Sequence, residues 1–415
     1  MRILFVNQYF PPDVSATAYL LGELSEDLAR DHSVRVVVGR PSYNPEAGLY
    51  RPRAVRVDRA WSTAFRRGGM PGRLLNYGSF VLTSLARAAS GPKPDVVVAM
   101  TDPPVIGMIG LLAARRYRVP FVYVCEDIFP EVGIALGRVD NPIVVWLLRR
   151  LNRRLRRAAT MIVAIGRDMQ EKLERDGVPA GKIEFIPNWG SDYAVDQQES
   201  AGVRHSLGWG DRFVVIHGGN VGLAQNLEVV IDAAERLRSR PEILIAFVGD
   251  GAAKRHLERS AQRRRLSNIT FLPYQPKTEA QLLLATADLH LVSLAPGLTG
   301  SVVPSKVYGI LALGRPFVAA VEDGSEVARI IDESQAGLRV EPGDAVGMAD
   351  AIARFADGTV DVKEAGRRAR LEFDLKYRRE IATERYRDVL ESVASADPYG
   401  TRGPYGTSDD GALAG

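Results

Sequence analysis

The sequence predicts an α/β fold made of two doubly wound domains that face a cleft, and two observations support this prediction. Short apolar runs alternate with amphipathic segments through residues 1–190, and the same alternation begins again at residue 212. Residues 191–211, between the two halves, are polar and without periodicity, which is typical of a linker. Alternating strands and helices of this kind form layered, mostly parallel sheets.

Short apolar runs predict the strands and apolar residues at helical spacing predict the helices. In the first half, strands are predicted at 2–7, 33–39, 94–100, 120–125, 160–166 and 182–188, and helices at 19–30, 105–116, 142–159 and 167–176. In the second half, strands are predicted at 212–219, 243–251, 268–274, 288–294 and 316–321, and helices at 227–239, 252–265 and 278–286, with another within 300–316. A charged amphipathic helix is predicted at 377–394, and the Gly/Pro/Ser-rich residues 395–415 are predicted to be disordered.

The composition is that of an ordinary globular protein, because 46% of the 415 residues are hydrophobic and 25% are charged. This length favours two or three domains. The single cysteine, Cys125, excludes an internal disulfide and favours a reducing compartment. The opening MRILFVNQYFPP is expected not to be a signal peptide, since proline soon interrupts it, and no apolar run is long enough to span a bilayer.

Positive charge is concentrated in the first half of the chain. Residues 1–190 hold 27 Lys and Arg against 18 Asp and Glu, a net charge of +9, whereas the remaining residues hold 27 against 32, a net charge of −5. An anionic partner explains this bias, and so does a genome that favours Arg codons. Composition does not separate the two explanations.

The segment GSVVPSKVYGILALGRP, residues 300–316, combines a helix start with two locally unfavourable residues. Lys306 falls in the first turn, where an unpaired cation costs about 0.3–1 kcal/mol, and Gly309 falls mid-helix, where it costs about 1 kcal/mol relative to alanine. A bound diphosphate would reverse the first cost, which favours a phosphate site containing Lys306. The structural alternative is that Lys306 pairs with a nearby acid and Gly309 relieves a close helix contact.

Two glycine-rich turns, IHGGNVGLAQNLE at 216–228 and FVGDGAAKRHLE at 247–258, each join a predicted strand to a predicted helix. Turns of this kind let the backbone approach a phosphate, and Asn220 and Gln225 offer neutral hydrogen bonds. The second turn fits a purely structural role equally well. Neither spacing matches the dinucleotide or P-loop fingerprints, which argues against a dinucleotide cofactor.

Acidic residues follow the predicted strand at 120–125, in YVCEDIFPE. Glu126, Asp127 and Glu131 fall where that strand ends, and acids in this position bind hydroxyl groups or act as bases. The alternative is that Asp127 caps the helix that follows.

The predicted helix at 142–159 places arginines beside an apolar side that includes Trp146 and Leu155. A basic amphipathic helix suits an anionic membrane surface, and the alternative is an ordinary surface helix with solvated arginines. The arginines assigned to the membrane surface are Arg149, Arg150, Arg153, Arg154, Arg156 and Arg157.

A metal site is not predicted, because the five histidines are scattered and no Asp-x-Asp pair is present. We therefore expect neither a metal nor a cofactor.

With these segments assembled, the chain resembles the family 4 glycosyltransferases, whose GT-B fold has two Rossmann-like domains facing a cleft. The resemblance covers about residues 1–394 and rests on the order of MRILFVNQYFPP, DVVVAMTDPP, FVYVCEDIFPEVGIALG, KIEFIPN, GNVGLAQNLEVVIDAA, FVGDG, NITFLPY and SKVYGILALGRP. The GNxGxxQ and PSKVYGILA forms are most similar to the branch that builds colanic-acid-type and O-antigen polysaccharides.

The resemblance implies a retaining, metal-independent hexosyl-type transferase that uses a nucleotide-diphospho-sugar, with UDP as the expected nucleotide. It implies that residues 1–190 bind the acceptor and residues 212–376 the donor, and that residues 377–394 cross back to the first domain. The expected partners are the nucleotide sugar, a polyprenyl-diphosphate-linked glycan and an anionic membrane surface, with no nucleic acid. The expected location is cytoplasmic, at the inner face of the plasma membrane.

Site residues are carried over from the family by position. Lys306, Asp127 and Glu126 are the expected catalytic residues, and Lys306 is the expected cation at the phosphates. Ser15 and Ala16 match the pair that closes on the phosphates, and Tyr274 and Gln275 match the base-contacting turn. The expected donor-binding residues are Gly219, Asn220, Gln225, Tyr274, Gln275, Ser301, Val302, Val303, Ser305 and Gly309.

The chain departs from the family at two positions. Family members often carry two glutamates eight positions apart, one at the donor sugar and one at the ribose, and here Ser301 and Gly309 stand in those places. Two other functions therefore stay open: a non-catalytic partner that binds nucleotide sugar or glycan, and a nucleotide-sugar epimerase of the same architecture.

Overall fold

The computed structural model describes residues 1–13, 15–40, 52, 54–61, 70–101, 106–192 and 197–396. Residues 102–104 of the TDPP segment, the predicted helix start at residue 105 and residues 397–415 of the predicted tail lie outside this part of the chain. Every strand predicted from the sequence is present, to within three residues at each end.

The first sheet is formed by residues before position 190 and is entirely parallel. Its strands are β1 (Arg2–Val6), β2 (Ser33–Val38), β3 (Val55–Arg59), β4 (Val96–Ala99), β5 (Phe121–Cys125), β6 (Met161–Ala164) and β7 (Ile183–Phe185). The helices are α1 (Ala16–Leu28), α2 (Met70–Ala88), α3 (Ile106–Tyr117), α4 (Glu131–Ala135), α5 (Pro142–Ala158) and α6 (Arg167–Arg175). The sequence did not predict β3, α2 or α4.

The second sheet repeats this architecture after residue 212. Its strands are β8 (Phe213–Gly218), β9 (Ile243–Val248), β10 (Ile269–Leu272), β11 (Leu289–Ser293), β12 (Phe317–Ala320) and β13 (Gly337–Val340). The helices are α7 (Gln197–Ser206), α8 (Glu228–Arg236), α9 (Lys254–Arg263), α10 (Lys277–Ala285), α11 (Lys306–Ala312), α12 (Glu326–Ser334), α13 (Ala345–Ala356), α14 (Val362–Glu372) and α15 (Arg379–Ser395).

Both sheets have the strand order of a doubly wound fold. The first runs β3-β2-β1-β4-β5-β6-β7 and the second β10-β9-β8-β11-β12-β13, with parallel pairing throughout. The order reverses direction between β1 and β4 and again between β8 and β11. Ligands of such sheets bind beyond the carboxyl ends of the strands at these reversal points, so the topology fixes where a site is expected.

The predicted linker at 191–211 is wrong in part, because α7 occupies its middle. Trp209 is buried in a cluster with Val214 and Leu244, which are residues of the second sheet. The end of the predicted linker, at Trp209, therefore packs as part of the second half of the chain. Residues 193–196 lie outside the described residues.

The last helix, α15, packs on the first sheet although it follows the second. Tyr386 and Leu390 share one buried cluster with Ile3 and Phe5 of β1. The Arg379 guanidinium also donates to both carboxylate oxygens of Asp27 on α1, at 2.7 and 2.9 Å. The end of the chain therefore joins the two halves. Within the described residues, every helix is too short or too polar to cross a lipid bilayer.

Candidate active site

Two loops meet at the reversal point of the second sheet. One follows β8 and contains Gly219 and Asn220, and the other follows β11 and leads to Lys306, the first residue of α11. The backbone N–H of Ala295 donates to the carbonyl oxygen of Ala224 at 2.7 Å, which joins the two loops directly. The loops predicted to hold the donor phosphates thus lie where the topology expects a ligand.

Glycines determine the shape of the loop after β8. Gly219 adopts φ +99°, a left-handed conformation that favours glycine. A Cβ on Gly249 would lie 2.0 Å from the carbonyl oxygen of Gly219, so the FVGDG turn packs backbone to backbone on this loop. The Gln225 amide oxygen accepts a hydrogen bond from the Gly222 N–H at 3.0 Å and thereby shapes the loop, whereas Asn220 is exposed.

Lys306 is held by a histidine and not by an acid. Its Nζ lies 2.9 Å from Nε2 and 3.4 Å from Nδ1 of His217, at the end of β8. Among the described residues no carboxylate lies within ion-pair distance of Lys306. The alternative that Lys306 pairs with a nearby acid is therefore wrong for the part of the chain that the structure describes.

Burial changes the protonation of both partners. It lowers the pKa of the Lys306 amine to about 7, because the charged form loses solvation that no counter-ion replaces. Burial first, and the Lys306 charge second, hold the pKa of the His217 imidazole well below its ordinary value. His217 is therefore neutral at physiological pH, whereas Lys306 gains or loses its proton close to that pH.

The two positions where the family often has glutamate differ in their surroundings. Ser301 is 1% exposed, and its carbonyl oxygen accepts from the Ile128 N–H at 2.8 Å. A Cβ added at Gly309 would have no neighbouring side chain or other backbone within 4 Å. The alternative that Gly309 relieves a close helix contact is therefore wrong, and open space lies beside this residue.

The other donor-binding candidates lie around the same loops. Ser305 is the N-cap residue of α11 and its side chain makes no capping bond, while Val302 is half-buried and Val303 is buried. Tyr274 and Gln275 follow β10 on the second sheet, and Tyr274 is 50% exposed. An exposed aromatic ring in this position is free to stack on a planar ligand group.

The acids predicted after β5 have different environments. Glu126 is buried, and its Oε2 accepts from the Asn188 amide at 2.8 Å, which favours a structural role. Asp127 is an exposed residue by surface area, yet protein atoms surround its carboxyl closely enough that desolvation raises the pKa of that group to about 6. The Thr101 hydroxyl accepts from the N–H groups of both residues, at 3.0 and 3.1 Å. The N-cap of α4 is Pro130, so the capping alternative for Asp127 is wrong.

Ser15 and Ala16 begin α1 at the carboxyl end of β1. The Ser15 hydroxyl accepts from the Ala18 N–H at 3.2 Å and caps the helix, and Ala16 is exposed. The pair therefore lies on the first sheet's side of the cleft.

Contacts between the two halves include groups that sequence reasoning missed. Glu326 is 1% exposed and accepts from the Arg167 backbone N–H at 2.7 Å and from its guanidinium at 2.9 Å. Asp168 accepts from the Gly300 N–H at 2.9 Å, next to Ser301. The partners are far apart in sequence, so no local pattern could have indicated them. His217 was also missed, and its only signal was its place before two glycines at a strand end.

The basic helix α5 presents five of its six predicted arginines to solvent. Arg156 is the exception, because it is buried and pairs with Asp176 at 2.9 Å, so its assignment to a membrane surface is wrong. Arg149 is exposed and pairs with Glu131 at 3.1 Å. The apolar side chains at the start of the helix are exposed: Ile143, Val144, Trp146 and Leu147.

The residues that the structure describes contain no group of three His, Cys, Asp or Glu side chains arranged to hold a metal ion. On the second-sheet side, the site offers a ligand backbone N–H groups, neutral side chains and the Lys306 amine.

Family comparisons match both halves of the chain. A family model described as a glycosyl transferase 4-like domain matches residues 16–189, and one described as glycosyl transferases group 1 matches residues 212–357. The two matches together cover every strand of the two sheets except β1.

Two bacterial proteins show how far the similarity extends. The chain is 30% identical over 320 residues to WbjE of Pseudomonas aeruginosa, described as a glycosyltransferase, covering 76% of this chain and 78% of that protein. It is 30% identical over 354 residues to WcaI of Escherichia coli K12, described as a colanic acid biosynthesis glycosyl transferase, covering 80% of this chain and 86% of that protein.

Solved structures show the same fold. HepE of Anabaena in complex with UDP-glucose superposes with a TM-score of 0.74 at 20% identity, over 94% of this chain and 100% of that one. Sucrose-phosphate synthase of Thermosynechococcus elongatus superposes with a TM-score of 0.76 at 16% identity, over 95% of this chain and 100% of that one. The chain therefore belongs to the family 4 glycosyltransferases, has their GT-B fold, and is a sugar transferase of polysaccharide biosynthesis.

Proposed function

We propose that the protein is a retaining, metal-independent glycosyltransferase that moves a sugar from a UDP-linked donor to a lipid-linked glycan. The observation that supports this most is the Lys306 amine, a cation without a carboxylate partner among the described residues, at the reversal point of the second sheet. In this proposal residues 212–376 bind the donor and residues 1–190 bind the acceptor.

The donor diphosphate lies between the loop after β8 and the start of α11. Lys306 donates to phosphate oxygens, the backbone at Gly219 approaches them closely, and Asn220 adds a neutral donor. This arrangement supplies positive charge from a side chain, which is the reason for proposing that no divalent ion is needed.

Transfer proceeds on one face of the donor sugar. The bond between the anomeric carbon and the diphosphate oxygen breaks as the acceptor hydroxyl oxygen bonds to that carbon from the same side. The hydroxyl proton passes to the leaving phosphate oxygen, so the configuration is retained. Negative charge grows on the leaving group, and stabilisation by the Lys306 ammonium is strongest there.

Asp127 orients the acceptor hydroxyl in this scheme. With a pKa of about 6, its carboxylate is mostly ionised at neutral pH and accepts a hydrogen bond from the hydroxyl. Its backbone pairs with Val302, in the loop that leads to Lys306, and this contact supports a role for the acid beside the donor sugar.

The UDP assignment is supported by similarity and by one side chain. HepE, of similar fold, is described in complex with UDP and with UDP-glucose. Tyr274, exposed after β10, is the aromatic ring proposed to stack on the base.

A membrane surface is the proposed source of the acceptor. Trp146 and Leu147 on α5 are 56% and 57% exposed, and the Arg150 guanidinium lies 5.5 Å from the Trp146 ring centroid. Apolar side chains beside arginines suit the headgroup region of an anionic bilayer, where a polyprenyl-diphosphate-linked glycan resides.

The test is a donor and acceptor screen with purified protein in EDTA. UDP-, GDP- and dTDP-linked sugars are incubated with and without polyprenyl-diphosphate-linked glycans, and the anomeric configuration of each product is read by NMR. We expect glycosylated acceptor from a UDP-sugar with retained configuration. Donor converted without acceptor would identify an epimerase, donor bound without any conversion would identify a binding partner, and an inverted product would exclude the retaining mechanism.

A further inference from the structure

His217 connects Lys306 to the base of the proposed phosphate loop. It is the second-last residue of β8, directly before Gly218 and Gly219, and its side chain is fully buried. The imidazole Nε2 lies 2.9 Å from Lys306 Nζ and 3.4 Å from the Asn220 carbonyl oxygen. The His217 side chain therefore contacts both Lys306 and the loop after β8, which are the two groups proposed to face the donor diphosphate.

The chemistry of this partner differs from that of the acids that usually hold lysines. With its proton on Nδ1, the neutral imidazole accepts a hydrogen bond from the ammonium at Nε2 and carries no charge to cancel the charge of the lysine. In this tautomer the Asn220 carbonyl oxygen, itself an acceptor, is a neighbour of Nε2 and not its hydrogen-bond partner. A carboxylate in this place would form an ion pair and compete with a bound phosphate. When Lys306 is protonated, its positive charge and its remaining N–H groups thus stay available to a ligand.

The surroundings of His217 contain no competing acid among the described residues. The charged or titratable groups that face it are Lys306 on α11 and His290 on the neighbouring strand β11, and both lower the pKa of His217. Phe247 on β9 covers another side, with its ring centroid 5.7 Å from that of the imidazole.

We propose that His217 is a positioning residue for donor binding, a neutral acceptor that holds the Lys306 amine against the phosphate loop and leaves its charge for the nucleoside diphosphate. This proposal rests on the donor site proposed above and deepens it, because it assigns a role to a residue outside every predicted site.

The arrangement makes diphosphate binding depend on pH in a defined direction. Lys306 has a pKa of about 7 without ligand, and a bound diphosphate raises that pKa because it favours the charged form. Binding therefore takes up a proton above pH 7, and affinity for UDP falls as pH rises from 7 towards 9. Below pH 7 the lysine is already charged, and its contribution to affinity is constant.

The test measures the Kd of UDP by calorimetry between pH 6 and pH 9 for the wild type and three variants. His217→Phe removes the acceptor and is expected to weaken binding about tenfold or more, most strongly above pH 7, since the charged lysine loses a hydrogen bond. His217→Gln keeps a neutral acceptor and is expected to retain most of the affinity. His217→Glu supplies a carboxylate and is expected to weaken binding and abolish its pH dependence between pH 6 and pH 8.

His290→Phe is the matched control. His290 is equally buried, lies on the adjacent strand, and its ring contacts the Leu284 carbonyl oxygen at 3.1 Å and not Lys306. It is expected to leave the Kd and its pH profile unchanged.

Two results would overturn the role of His217. One is a folded His217→Phe variant with the affinity and pH profile of the wild type. The other, decisive if that variant does not fold, is a His217→Glu variant whose pH profile matches the wild type. Failure of the wild type to bind UDP, GDP or dTDP would overturn the donor site itself, and the role of His217 with it.

Discussion

Asp127 and Val302 pair as a short antiparallel bridge between the two halves of the chain. Asp127 follows β5 of the first sheet, and Val302 lies in the loop that leads to Lys306 on the second. The Ile128 N–H strengthens the contact by donating to the Ser301 carbonyl oxygen at 2.8 Å. The acid on the proposed acceptor side is therefore held beside the loop of the proposed donor side by backbone hydrogen bonds.

This position makes Asp127 sensitive to pH. The pKa of its carboxyl is about 6 in the folded chain, above an ordinary value of about 3.9 in the unfolded chain. The folded state thus binds the proton more tightly, so the stability associated with this group is present below pH 4 and is lost as pH rises to 6 and beyond. We expect Asp127→Asn to raise the thermal midpoint at pH 8 and to change it little at pH 4. A midpoint at pH 8 equal to that of the wild type would contradict the desolvation of this carboxylate.

Protonation of Asp127, which favours stability, should reduce turnover. The proposed role needs the ionised carboxylate, so the kcat of the wild type should fall below pH 6 as Asp127 becomes protonated. Asp127→Asn should lower kcat by about 10²-fold or more and leave the Kd of UDP unchanged. A variant that keeps its kcat would remove Asp127 from the reaction.

The open space beside Gly309 gives a test that separates stability from binding. Gly309→Ala should stabilise the protein by about 0.5–1 kcal/mol, because alanine is the better helix former and meets no neighbour. It should weaken the binding of the intact nucleotide sugar if the donor fills that space. Gly202→Ala is the control, since Gly202 in α7 is also free of neighbours and is remote in sequence from the donor loops. Equal donor affinity for both variants would show that the space is not used.

The buried Arg167–Glu326 pair should matter more than an exposed pair of similar geometry. Arg167→Ala leaves the 1% exposed carboxylate of Glu326 without its guanidinium partner, which should cost about 2–4 kcal/mol. Arg240→Ala breaks exposed pairs with Asp357 and Glu242 and should cost less than about 1 kcal/mol. Urea unfolding midpoints compare the two, and equal losses would contradict the importance of this contact between the two halves.

Membrane binding should depend on the exposed start of α5. Replacing Trp146 and Leu147 together by serine should weaken binding to phosphatidylglycerol vesicles about tenfold or more, because their apolar surface no longer enters the headgroup region. Leu371→Ser is the control, since Leu371 on α14 is 50% exposed and remote in sequence from α5. Co-sedimentation at low and high salt makes the measurement. Equal binding by all variants would leave α5 without a membrane role.

Local patterns in the sequence were sufficient for eleven of the thirteen strands, with β3 and β13 missed, and they indicated the loops that are proposed to hold the phosphates. Apolar runs mark the buried strands, and the costs at Lys306 and Gly309 can be read from one helix. The contacts that only the structure reveals join residues that are far apart in the sequence. The His217–Lys306 contact forms because β8 and β11 are neighbours in space, and Arg156 differs from the other α5 arginines because it faces Asp176. The helix α7 was missed because its polar residues carry little periodicity.

The most direct test of the donor site is the affinity of the protein for UDP before and after Lys306→Met. Methionine keeps most of the side-chain volume and removes the charge, so packing of α11 should change little. We expect the Kd of UDP at pH 7 to rise at least about tenfold, with the thermal midpoint unchanged or higher because a desolvated, half-buried amine has been removed. A folded Lys306→Met variant that binds UDP as tightly as the wild type would contradict the assignment of Lys306 to the donor phosphates.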